Sequence, residues 1–183
     1  MDRVRGMSGQ ETVSRILLEE PVRRSLFRIL RENVLCSMAT VATGNRAHIN
    51  TAYFCYSRAL ELFFLSDPGS LHCRNLAEHP SMAMTIFRSA QAWGNPDRGV
   101  QLFGTCREAK GPHARNAERL YGERFPPYMK TSAGRNPEDR RQGEQLRSYR
   151  FYRFVPTRVK ILDERVFGGG VFAVASVPLL RSR

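Results

Sequence analysis

Between Val34 and Asp67 the apolar residues stop recurring every three or four positions and alternate instead: VLCSMATVAT, the turn pair Gly44-Asn45, RAHINTAYFCYS, a further short turn, then LELFFLSD. A period of two marks strands, and turns this short join antiparallel neighbours, so the stretch predicts a three-stranded meander. A short helix over Leu71–Glu78, ended by Pro80, separates it from two further strand-like runs, MAMTIF and, beyond the polar loop SAQAWGNPDR, GVQLFGTCREA. Alternation returns from Tyr149 to Arg165, which reads as a strand pair or one bent strand with Pro156 at a break or edge. About six antiparallel strands with helices at one end predict a mainly β, α+β fold closed into a small barrel. A barrel of that size fills its interior with side chains, so a ligand has to bind on the outer wall or in a crevice between two copies.

The flanks read differently. Thr12 suits a helix N-cap, and Val13, Ile16 and Leu17, then Val22, Leu26, Ile29 and Leu30, recur at helical spacing with Pro21 at a break; one or two amphipathic helices are expected over 12–32. Pro112 starts a packing helix, HARNAERLYGERF, whose Ala114, Ala117, Leu120, Tyr121 and Phe125 share a face. The segment 126–148 has few large apolar residues and many charges, which predicts a surface loop or cover. VFAVASVPLL is expected to form a last strand and tail. With 183 residues, 42% hydrophobic and 25% charged, a single folded domain spanning the chain is expected.

Composition narrows the function classes. A formal net charge of +12 attracts anions. The basic residues, mostly Arg, run from Arg3 to Arg183 without a Lys/Arg block, which argues against a nucleic-acid-binding arm. Cys36, Cys55, Cys73 and Cys106 form no C-x-x-C pair, so they read as buried thiols of a reducing compartment and no metal site is expected. No apolar run has signal-peptide or membrane-spanning length, so the expectation is a cytoplasmic protein without a membrane partner.

One stretch joins structure to chemistry. In LSDPGSLHCRNLAEHP, Ser66 ends a strand, Pro68-Gly69 turns the chain, and Ser70 stands where it can cap a helix carrying His72 and Arg74. Free N–H groups at a helix start, with basic side chains beside them, form an anion seat suited to a phosphate. The same spacing also fits a plain helix cap with solvated basic residues. His48, in RAHIN, is either a proton donor or a satisfied strand histidine, and Tyr53 and Tyr56 are open to the same two readings.

The linked set LCSMATVATGNRAHINTAYFCY, ELFFLSDPGSLHCRNLAEHPSMAMTIF and RGVQLFGTCREA resembles the FMN-binding family of the pyridoxamine 5'-phosphate oxidases, in its order and spacing, over roughly the middle half of the chain. The resemblance implies a six-stranded antiparallel split β-barrel with N-terminal helices and short crossover helices, forming a homodimer with two FMN molecules at the subunit interface. It places Asn50, Thr51, Ala52 and Tyr53 along the isoalloxazine edge and Ser66, Ser70 and His72 at the phosphate. Trp93, Arg98 and Gln101 fall on the loop and strand that reach the flavin of the neighbouring subunit, with Trp93 a rim aromatic or a loop anchor. Gln101 shares a strand face with Gly99, which would admit a close approach, and its amide could bond a ring edge.

The chain departs from the family pattern at two places. Leu71-His72 stands where members commonly carry an Arg-Lys pair, which leaves a pH-dependent cation, with either Arg74 compensating or a low affinity for FMN. The ending LDERVFGGGVFAVASVPLLRSR lacks the Arg- and His-bearing substrate segment of the oxidases that give the family its name, which implies a relative with another substrate. The implied activity is FMN-dependent oxidoreduction of a small-molecule substrate, needing no side-chain nucleophile or metal, with 126–148 as a candidate lid. Two other readings stand beside it: a non-catalytic module holding flavin, deazaflavin or haem, and a basic adaptor for nucleic acid or an acidic partner.

Overall fold

A computed structural model describes residues 3–5, 11–16, 19–133 and 137–177. Strands β1 (Arg3–Arg5) and β2 (Glu11–Ile16) precede helix α1 (Glu20–Glu32). The meander follows as β3 (Leu35–Ala42), β4 (Arg46–Tyr56) and β5 (Leu62–Ser66). Helix α2 (Leu71–Glu78) leads to β6 (Ser81–Phe87) and β7 (Arg98–Glu108). Three helices, α3 (Pro112–Arg124), α4 (Pro126–Ser132) and α5 (Pro137–Ser148), come before β8 (Arg150–Asp163), the short α6 (Glu164–Phe167) and β9 (Val171–Ser176).

Six of the strands close a ring in the order β3-β4-β5-β8-β7-β6, every neighbour antiparallel. This is the split barrel. It splits along β8, whose first part pairs with β5 over Arg150–Phe154 and whose second part carries β9 over Arg158–Leu162, while β7 runs alongside both. Pro156 sits between the two partners, where the missing N–H breaks neither the β5 nor the β9 ladder. The 149–165 stretch is thus the single bent strand of the two forms its sequence allowed.

At that bend the register between β7 and β8 shifts at Phe103/Gly104. A Cβ on Gly104 would stand 2.1 Å from the Val155 carbonyl oxygen and 2.6 Å from the Pro156 Cα, and neither backbone atom can swing aside. Gly104→Ala is therefore expected to cost about 1–3 kcal/mol. Thermal unfolding checks this; an alanine variant as stable as the parent refutes the tight seam.

The ring's interior is filled by Met38, Phe54, Leu62, Phe64, Met84, Leu102, Phe154 and Val159, all buried. No room remains for a ligand inside. α1 adds Val22, Leu26, Ile29 and Leu30, one helical face, to the same core. Because β5 is buried on both sides, its Phe63 joins a second cluster with Cys55, Ala117, Tyr121 and Phe151 beneath α3.

Two expectations need correction. The 12–32 stretch is not helical throughout: residues 11–16 form β2, parallel to β9, and the helix starts at Glu20 with Pro21 in its first turn. Thr12-Val13-Ser14-Arg15-Ile16 is rich in β-branched residues, which favour a strand once a partner edge is present, and proline belongs at a helix start. Leu17 lies outside the described residues. The 126–148 segment is not a loop but the hairpin α4–α5, built from the helix formers Glu, Gln, Arg, Lys and Met, with 134–136 outside the described residues. The last strand is present as β9, and the tail 178–183 lies outside the described residues.

Candidate functional site

Ser66 closes β5, and Asp67-Pro68-Gly69-Ser70 turns the chain into α2. The Asp67 carboxylate accepts the Gly69 N–H at 2.8 Å and its carbonyl accepts the Ser70 N–H at 3.0 Å. This fixes the turn so that Ser70 enters α2 from extended backbone, but its hydroxyl makes no cap hydrogen bond. The first intrahelical bond runs from the Arg74 N–H to the Ser70 carbonyl, so the N–H groups of Leu71, His72 and Cys73 point out of the helix start without an intrahelical partner.

The uncapped Ser70 hydroxyl faces His72 instead. His72 is 7% exposed, and its Nε2 is 2.8 Å from Ser66 Oγ, 3.2 Å from Ser70 Oγ and 3.5 Å from the Asn50 side-chain nitrogen. A ring nitrogen that accepts from such groups belongs to a neutral imidazole. The electrostatics agree: burial, then the neighbouring His48, lower the His72 pKa below its usual value. The His48 ring lies parallel to it at 6.4 Å. The neutral form is thus favoured in the free protein, at a position where the sequence led us to expect a pH-dependent cation. Nε2 meets both serine hydroxyls, as donor or acceptor according to the ring tautomer, and the Arg74 guanidinium folds back to donate to the Gly69 carbonyl at 2.6 Å.

Beside this cluster β4 has an open edge. It pairs with β3 over Arg46–Tyr53, but with β5 only over Phe54–Tyr56. Phe54 donates its N–H to Val34 on the β3 side, so alternation along the strand turns the main-chain groups of Thr51 and the N–H of Tyr53 to the edge that β5 leaves unpaired. Asn50 and Ala52 point their main-chain groups the other way. Asn50 instead joins the site through its side chain.

Trp93, Arg98 and Gln101 do not join the cluster. Trp93 is fully exposed in the β6–β7 loop and anchors nothing among the described residues. Arg98 pairs with Glu32, and its N–H bonds the Gln91 amide oxygen at 2.9 Å. Gln101 lies on the barrel's outer wall in a row running Thr51, Ser37, Thr85, Gln101, Lys160 across β4, β3, β6, β7 and β8. The same wall exposes Leu35, Ile49, Tyr53 and Phe87.

The four cysteines are buried and unpaired, and burial pushes the Cys36 and Cys55 thiols up to about 12. Among the described residues no cluster of His, Cys, Asp or Glu is arranged to hold a metal ion, and no helix is long and apolar enough to cross a membrane. Residue spacing pointed to Ser66, Ser70 and His72, but not to the His48–His72 stack, which joins positions 24 residues apart across two elements. It also missed an aromatic cavity of about 410 Å³ under α4–α5, where Tyr128 faces Tyr121; the aromatic density of LYGERFPPY was the available signal.

Comparison with known proteins gives a consistent picture. The family model for pyridoxamine 5'-phosphate oxidase matches residues 24–163. No curated protein matches the sequence. A Clostridium acetobutylicum protein related to general stress protein 26, of the pyridoxinephosphate oxidase family, superposes with TM-score 0.62 at 9% identity, covering 87% of this chain and 97% of its own. A haem-binding protein from Mycobacterium smegmatis gives 0.61 at 15%, covering 81% of this chain and 56% of its own. The haem storage protein of Vibrio cholerae gives 0.54 at 15%, covering 73% and 88%. At these identities the likeness concerns the fold.

Proposed function

Because the chain belongs to the pyridoxamine 5'-phosphate oxidase family, we propose that it binds FMN and acts as a flavin-dependent oxidoreductase on a small molecule other than the family's namesake substrate. The observation that carries this reading is the uncapped start of α2, where free N–H groups, the hydroxyls of Ser66 and Ser70 and the Arg74 guanidinium converge next to the open edge of β4. These groups suit a phosphate and an adjoining flat ring. Bound FMN would supply two-electron chemistry. The chain's own part is to hold the phosphate, meet the ring edge with the main-chain groups of Thr51 and the N–H of Tyr53, and exclude water.

The proposal includes a homodimer. Leu35, Ile49, Tyr53 and Phe87 expose large apolar side chains together on one wall, the kind of patch that marks an interaction surface. A second copy there would bring its Arg98, Gln101 and Trp93 to the flavin. Titration of the full-length chain tests the reading: FMN is expected to bind once per chain and at least 10-fold more tightly than riboflavin, which lacks the phosphate, with a dimer in sedimentation. Equal affinity for the two flavins, or none, sinks it.

A second reading is haem. His48, whose ring makes no hydrogen bond among the described residues, stands parallel to His72 and is free to ligate iron, and two proteins of like fold bind or store haem. A Soret band on haem addition, with flavin excluded, would favour it.

His72 gives the FMN site a pH dependence. Its pKa is lowered in the free protein, so the stability that depends on its neutral form is present above about pH 6.5, the usual histidine value, and lost as the pH falls. A phosphate beside the ring opposes that depression, so FMN binding takes up a proton. The ratio of parent to His72→Gln affinity for FMN is expected to rise as the pH drops from about 7.5 to 6. The phosphate's own protonation cancels in that ratio. A flat ratio would remove His72 from the phosphate site.

A further inference from the structure

The hairpin α4–α5 lies against α3 at close range. A Cβ on Gly143 of α5 would stand 2.8 Å from the Thr131 carbonyl oxygen of α4, and Met129 of α4 sits over Gly122 of α3. Glycine at 143 lets the α5 backbone approach that of α4, and glycine at 122 leaves room on α3 for the Met129 side chain. Beneath them a cavity of about 410 Å³ remains open.

Its walls are unusual for a chain of net charge +12: among the described residues no Lys, Arg, Asp or Glu lines it. Tyr53, Tyr121, Phe125 and Tyr128 supply four aromatic rings, and Leu146 supplies an apolar wall from α5. The rings are mostly set edge to face, with Tyr53 on Phe125 at 5.5 Å and Tyr121 on Tyr128 at 5.1 Å, an arrangement that leaves ring faces for a flat guest. Arg124 stands behind the wall, its guanidinium 5.8 Å from the centre of the Phe125 ring. Arg124 donates to the Leu30 and Asn33 carbonyls and lies over the rings of Phe54 and Tyr56.

The Tyr121 and Tyr128 hydroxyls have no hydrogen-bond partner among the described residues, and burial pushes both pKa values up, so both stay protonated donors at neutral pH. Two donors without a protein acceptor, in a pocket whose described lining carries no charge and with the Glu118 carboxylate near Tyr128, favour a neutral guest that brings an acceptor. Tyr53 belongs both to this cavity and to the β4 edge described above, so the cavity opens beside the proposed flavin ring.

We propose that this cavity is the substrate pocket and that it takes an uncharged, flat aromatic compound bearing a carbonyl oxygen, bonded by Tyr121 and Tyr128. As a binding site it stands on the cavity alone; as the substrate site it rests on the flavin reading.

Calorimetry with three naphthalenes on the full-length chain tests it. 1-Acetylnaphthalene is expected to bind at least 10-fold more tightly than naphthalene-1-sulfonate, which has the same rings and a charge. The double variant Tyr121→Phe/Tyr128→Phe should weaken 1-acetylnaphthalene at least fivefold and leave 1-ethylnaphthalene, which has no acceptor, unchanged. Leu146→Arg should weaken both neutral probes and spare FMN. Preference for the sulfonate, or indifference of acetylnaphthalene to the double variant, overturns the proposal. FMN titrated into the same samples separates the two readings: acetylnaphthalene bound as expected without FMN binding fails only the flavin, and the converse fails only this pocket. Unchanged melting temperatures show that the variants fold.

Discussion

Asp163→Ala is expected to lower the stability of the chain by about 3 kcal/mol, which for this length is a fall in Tm of about 6–12 °C. Asp163 ends β8 and is completely buried. One of its oxygens accepts from Ser25 Oγ at 2.5 Å and from the Arg28 guanidinium at 2.5 Å, both on α1. The pair fastens α1 to the strand that closes the barrel. Removing the carboxylate leaves the Arg28 guanidinium facing a vacated apolar space, with its Nε already lacking a partner, and strands a buried serine hydroxyl. Arg28 keeps about a third of its side chain in water, which puts the loss at the low end of what breaking a buried pair costs.

The double variant separates charge from packing. If the loss comes from an unpaired buried charge, Asp163→Ala combined with Arg28→Ala will be more stable than the sum of the two single losses predicts. Additive losses, or a fall in Tm under about 3 °C for Asp163→Ala alone, would show that α1 is held by Leu26, Ile29 and Leu30 without the pair.

The contrast between Asp163 and the meander shows what a sequence makes legible. Alternation over β3, β4 and β5 is local, and so are the two-residue turn at Gly44-Asn45 and the break at Pro68-Gly69; the barrel strands could therefore be read in order. β2 could not. Val13 and Ile16 fit a helical spacing as well as a strand, and what decides between them is β9, whose residues lie more than 150 positions away. α5 was hidden for another reason. Its PEDRRQGEQLRS carries almost no apolar signal, and the glycine that looks like a breaker is the point where it meets α4.

The site divides along the same line. Ser66, Ser70 and His72 lie within seven residues, so their convergence follows from one turn. The neutrality of His72 depends on burial and on His48 from another strand, which no local pattern encodes. With the neutral form of His72 favoured, the proposed anion seat rests mainly on backbone N–H groups and hydroxyls. Such a seat is sensitive to an added negative charge and tolerant of other changes.

Ser70→Asp is accordingly expected to weaken FMN about 100-fold or more while leaving the fold nearly as stable as before. The substitution gives up the Ser70 contact with His72, but aspartate is as good an N-cap as serine and a carboxylate at a helix start is favoured by the helix dipole, so the two effects on α2 offset each other to within about 1 kcal/mol. For a phosphate the same carboxylate is a like charge at about 5 Å, worth roughly 3 kcal/mol per unit charge at an effective dielectric constant of 20, or about two orders of magnitude in affinity. Ser70→Asn, with the same shape and no charge, should lose only a few-fold. The carboxylate also draws a proton onto His72 at low pH, which restores part of the positive field, so the loss is expected to be deeper at about pH 8 than at pH 6. FMN fluorescence titration of the two variants at both pH values, beside their melting curves, decides the matter. If the aspartate and asparagine variants bind FMN alike, the phosphate does not sit at the start of α2.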